Sequence, residues 1–249
     1  MDADQPPIAG ADTAEPPPAP AARAAAVMEV LLCSGYPTQI AVAQTFAVFG
    51  VRPISPTSFS LAYVTAISLV DTAILIGLMV FFLRSRGESP RVAFFGERPL
   101  RSELRAGLPL VFVAFVIAVV LMLTLQAVAP WLHNVTRNPF QDAVKTRLDV
   151  VLLVLVVVIA GGLREELQRA FLLGRFDRWL GGARVGLVLT SLAFGLGHYY
   201  EGRDAVIVTA TLGAFWGSVY LARRSAAAPI VSHAGFNLLQ VVQFLTVIR

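Results

Sequence analysis

Residues 150–159 consist of nothing but Val, Leu and Ile. They form part of one of seven apolar segments, about 27–51, 58–83, 107–129, 148–174, 185–200, 205–222 and 229–248. Most approach the roughly 20 residues needed to cross a bilayer as a helix. Only 14% of the residues are charged and 56% are hydrophobic, against the roughly 25% charge of an ordinary soluble domain. The apolar stretches are continuous, not alternating, which disfavours a β-barrel. The expected fold is therefore all-α: a polytopic transmembrane helical bundle of about seven spans over residues 27–249. Residues 1–26, rich in Ala and Pro with Asp2, Asp4, Asp12 and Glu15, cannot bury a core and read as a disordered tail. They lack the basic start of a cleavable signal peptide.

All but one of the 20 basic residues are Arg, and they sit in short loops between apolar segments. That is a topology signal. No basic stripe with interleaved aromatics is present, so nucleic acid is not an expected partner. With the N-terminus in the cytoplasm, Lys and Arg divide 12 inside against 6 outside, which favours that orientation. Cys33 is the only cysteine, so neither an intrachain disulfide nor a cysteine metal cluster can form.

Directly after the apolar run comes Arg164-Glu165-Glu166-Leu167-Gln168-Arg169. Charges in or near a bilayer core cost at least about 2.5–3.5 kcal/mol each on insertion scales, so they pair, face a cavity or do chemistry. Glu165 and Arg169 are four apart, and Glu166 and Arg169 three apart, on one helical face. Phe194-Gly195-Leu196-Gly197-His198 brings an imidazole to the end of the fifth segment, and His233 and Asn237 share a face of the seventh. An antiparallel hairpin turning at Gly181-Gly182 would set Glu165 and His198 at one depth. His233, near the start of its segment, matches that depth only if the hairpin projects beyond the bilayer. Gly213 and Gly217 have the spacing of a close helix contact. Asp71 has no partner at recognisable spacing and reads as a helix-contact or access-path residue. His133 reads as a solvated loop residue, and Trp131 and Trp179 as interface anchors.

Two Glu followed by Arg, then Phe-x-x-x-His, then His-x-x-x-Asn resemble the motifs of the CAAX-processing and bacteriocin-processing (CPBP or Abi) intramembrane endopeptidases, the type II CAAX prenyl protease family. The resemblance covers residues 148–249. It departs in the first motif: only Leu167 and Gln168 separate Glu166 from Arg169 where the family has three residues, and Ala170 replaces the usual Gly.

The resemblance implies hydrolysis of a peptide bond in a membrane-associated protein or peptide, at a bacterial cytoplasmic membrane. Glu165 and His198 would activate water, Arg169 would pair with Glu166, and His233 and Asn237 would polarise the carbonyl. It leaves open a zinc ion held by Glu165, His198 and His233 or a metal-independent reaction. The other reading is a catalytically inactive member serving as a membrane scaffold, a bacteriocin-immunity factor or a binding protein. The oligomeric state is not encoded in any motif.

Overall fold

The computed structural model describes residues 19–53, 60–135 and 143–247. The first eighteen residues of the expected tail, Ser58, Arg137, Ile248 and Arg249 lie outside them. Among the described residues every regular element is a helix. In order these are α1 (Pro20–Leu32), α2 (Tyr36–Val48), α3 (Leu61–Ser85), α4 (Pro90–Phe95), α5 (Leu100–Val128) and α6 (Arg147–Leu155). A π-helical segment (Val156–Arg164) continues α6 into α7 (Glu165–Trp179). Then follow α8 (Ala183–Gly197), α9 (Arg203–Arg223) and α10 (Ala227–Val247).

The protein is an all-α membrane protein, and the described residues of each of the seven apolar segments are mainly helical. Among the described residues, three stretches can by length and composition cross a membrane alone: α3, Pro90–Val128 and α9. The pair α1–α2, bent by 46° at its break, makes a fourth. The fourth, fifth and seventh apolar segments miss that criterion because α7 carries charges, α8 has 15 residues, and α10 bears His233, Asn237, Gln240 and Gln243. The expected tail is also too long: the helix starts at Pro20, and Ala26 is fully buried. A Pro in the first turn suits a helix start because its missing N–H has no intrahelical partner there.

Three local features fix how the later helices meet. Thr146 and Asp149 form a reciprocal capping box at the start of α6, satisfying two backbone donors that would otherwise be unpaired. The α7–α8 hairpin turns through Gly181 and Gly182, both with positive φ (+96° and +94°), a region costly for residues with a Cβ. Gly162 lets the π segment lie directly on α10: a Cβ there would sit 2.6 Å from Ala234 Cβ. The Gly213/Gly217 spacing also marks a close contact, since a Cβ on Gly217 would fall 2.5 Å from Leu187 Cδ1.

The arginine-rich end is an ion-pair lattice. Glu29 meets Arg86 (2.6 Å) and Arg175 (2.5 Å), and Glu88 meets Arg175 and Arg178 (2.6 Å each). Glu103 holds Arg223 (2.7 Å). Trp179, read from sequence as an interface anchor, lies beneath the Arg86 and Arg175 guanidinium groups at 4.2 and 5.1 Å. Above this lattice sits a core of Leu75, Met79, Leu83, Leu167, Phe171 and Leu173. A second core on α9 and α10 is centred on Trp216 and Phe236.

Candidate active site

Glu165 and Glu166 open α7 at the end of the π segment, an irregularity often found at functional sites. Being consecutive, they point in different directions. Glu166 turns inward and is 1% exposed, whereas the Glu165 side chain is 17% exposed and lines a cleft of about 1090 Å³. The structure thereby distinguishes two carboxylates that the motif alone leaves equivalent.

Glu166 pairs with the Arg169 guanidinium. The shortened motif keeps this pair, because an i,i+3 step lies on the same helical face as i,i+4. The Glu166 Oε1 atom also accepts from His233 Nδ1 at 2.8 Å. A carboxylate can only accept here, so the His233 proton sits on Nδ1. Its other nitrogen, Nε2, lies 3.8 Å from Glu165 Oε2. The ring stacks on Trp216 with centroids 3.8 Å apart and planes within 15°. Trp216 is itself held by its Nε1–H donating to Ser232 Oγ at 3.0 Å. Arg169 lies over the Phe194 ring at 4.6 Å, and that ring meets both imidazoles edge-on.

His198 lines the same cleft. Its Nδ1 donates to the Phe194 carbonyl at 2.9 Å, since a carbonyl cannot donate, so Nε2 is the accepting nitrogen of the neutral ring. Glu201 Oε1 lies 4.0 Å from Nε2. Asn237 donates one amide N–H to the Val157 carbonyl at 3.1 Å, tying α10 to the π segment.

All six residues singled out in the sequence thus border one region, but not in the expected pairings. The imidazole against Glu165 is His233, not His198. Thirteen residues separate Glu166 from Trp179 but only six separate Ala227 from His233. At about 1.5 Å per residue, the α7–α8 hairpin reaches roughly 10 Å farther than the start of α10, as the depths of the motifs require.

Two residues read as unpaired are paired. Asp71, 1% exposed, accepts from Arg164 Nη1 at 2.8 Å, and Arg164 Nη2 donates to Glu165 Oε1 at 3.2 Å. The partner lies 93 residues away in sequence, beyond any spacing rule; the available signal was an intramembrane acid with no partner on its own helix. His133 is not a free loop residue either, since Nδ1 lies 2.6 Å from Asp204 Oδ2 at the cleft wall.

Among the described residues no group of three His, Cys, Asp or Glu side chains is placed to hold a metal ion. Glu165 and His233 are neighbours, but His198 turns to Phe194 and Glu201, so the three-ligand zinc set does not fit this arrangement.

In this helical membrane protein one glutamate, an arginine and two imidazoles line a cleft, and the second glutamate is buried behind them against Arg169 and His233. Residues 147–239 match the family model described as type II CAAX prenyl endopeptidase Rce1-like, in agreement with the family that the motifs of this segment resemble. Neither the curated proteins nor the solved structures provide a match.

Proposed function

We propose that this protein is an intramembrane endopeptidase that cleaves a peptide bond of a membrane-associated protein or peptide, with Glu165 as the base that activates water. The observation that carries this reading is the unequal burial of the two carboxylates. Glu166 is consumed by Arg169 and His233, whereas Glu165 lines the cleft, with Oε2 at 3.8 Å from His233 Nε2.

In this reading Glu165 takes a proton from water as the oxygen attacks the scissile carbonyl, and returns it to the leaving amine. His198 orients the water through its accepting Nε2. In its protonated form His233 donates from Nε2 to the developing oxyanion, flanked by Glu166 and the Trp216 ring. The second N–H of Asn237 donates to the same oxygen, a preorganised donor of the kind worth about 2.7–4 kcal/mol in acyl transfer. Glu166 and Arg169 hold His233 in place. The shortened Glu-Glu-x-x-Arg spacing, which alone would favour an inactive scaffold, loses its weight because Arg169 reaches Glu166.

The Arg-rich end would face the cytoplasm of a bacterial cell. Prenylated CAAX proteins are one substrate class of this kind.

The test is cleavage of a quenched fluorescent membrane-peptide library by purified protein in detergent. Wild type is expected to cleave, Glu165→Gln to be inactive at unchanged melting temperature, and a zinc chelator to leave the rate unchanged. Full activity in Glu165→Gln overturns the assignment, and loss with chelator would make the site a metalloprotease.

A further inference from the structure

Asp71 lies in the middle of α3, outside the matched domain and outside every motif, yet its side chain is 1% exposed. Among the described residues its ion-pair partner is Arg164, itself buried (9% exposed). That guanidinium is held at three points: Nε donates to the Ala160 carbonyl at 3.3 Å, Nη1 to Asp71 at 2.8 Å and Nη2 to Glu165 Oε1 at 3.2 Å. Asp71 Oδ1 is buried without a hydrogen-bond partner among the described residues, and Asp71 lines a second cavity of about 280 Å³ with Gln39, Ser68 and Arg164. The same three residues also line the main cleft.

An arginine between two carboxylates is shared by them. Were Asp71 neutral, Glu165 would be the sole anion within reach of Arg164, and a guanidinium facing one carboxylate closes on both its oxygens. Oε2 would then turn from His233 and the cleft toward Arg164. The second carboxylate prevents this by keeping Nη1 engaged on the α3 side.

We propose that Asp71 is a positioning residue for the hydrolysis: acting through Arg164, it keeps Glu165 attached by one oxygen and leaves the other free for water. This rests on Glu165 being the base, as proposed above. A merely structural pair would be equally buried, but it would have no effect on turnover once stability is restored.

The experiment uses full-length protein in detergent and the best-cleaved peptide of the quenched library. Asp71→Asn keeps size and an accepting oxygen while removing the charge. It is expected to lower kcat about 10- to 100-fold, the scale of a displaced catalytic group, with KM within about twofold. Removing both buried charges in Asp71→Asn/Arg164→Met avoids an orphaned ion, so this double variant is expected to regain wild-type melting temperature. Its kcat is expected to equal that of Arg164→Met alone, because Asp71 acts only through Arg164.

Wild-type kcat in a folded Asp71→Asn overturns the proposal while Glu165→Gln remains inactive. Recovery of kcat together with stability in the double variant also overturns it, leaving a structural pair. Absence of cleavage by wild type overturns the underlying enzyme reading, and this inference with it.

Discussion

Neighbouring residues of one type do different work here because helical geometry sends them to different surroundings. Glu166 faces Arg169 and His233 in the interior. Replacing it with Ala leaves a buried guanidinium without its carboxylate, which costs about 3–5 kcal/mol. We expect Glu166→Ala to show a large drop in melting temperature, whereas Glu165→Gln stays near wild type and loses only cleavage. Thermal denaturation beside the peptide assay separates the two; equal melting losses would mean that both glutamates are structural. Trp216 offers a milder case. Trp216→Phe keeps an aromatic face against His233 but leaves the buried Ser232 hydroxyl without its Nε1–H partner, for an expected cost of about 1 kcal/mol.

The π segment between α6 and α7 decides where the chemistry sits. Gly161 and Gly162 bring its backbone against α10, the first toward Asn237 and the second toward Ala234. The two have unequal tolerance. At Gly162 a Cβ would lie 2.6 Å from Ala234 Cβ and 2.9 Å from its Cα, where backbone must give way. Gly162→Ala is expected to destabilise by about 1–3 kcal/mol, as overpacking does, and to pull His233 from Glu166. At Gly161 the obstacle is Asn237 Nδ2 at 2.7 Å, the end of a side chain that can rotate. Gly161→Ala is expected to fold with near-normal melting temperature while losing the Asn237–Val157 bond and part of its turnover. A Gly162→Ala protein as stable as wild type would show that the close crossing is not maintained in the membrane.

For the whole molecule, the helix order places the ends Ser85, Trp179 and Arg223, together with Glu29 of α1, with the ion-pair lattice, and Val128, Gly197 and Val247 at the opposite end. If the arginine end is cytoplasmic, an impermeant maleimide added to intact cells will label Tyr200→Cys, at a position 84% exposed, but not Glu97→Cys. Native Cys33 is fully buried and provides a silent background. The reverse labelling pattern would invert the protein in the membrane.

The amino-acid sequence determined the helical membrane fold by itself, because runs such as residues 150–159 have no stable home in water and no way to satisfy their backbone in lipid except as helices. It also made the residues bordering the cleft recognisable, since spacings of three and four are local properties of a helix. What only the tertiary structure decided depends on contacts between distant segments. Asp71 meets Arg164 across 93 residues and His133 meets Asp204 across 71. His233 meets Glu166 across 67, leaving His198 bonded to its own helix. The inequality of Glu165 and Glu166 belongs to the same class. Two adjacent carboxylates are chemically identical in the chain, and become different only when the packing of α10 and α3 buries one and leaves the other at the wall of the cleft.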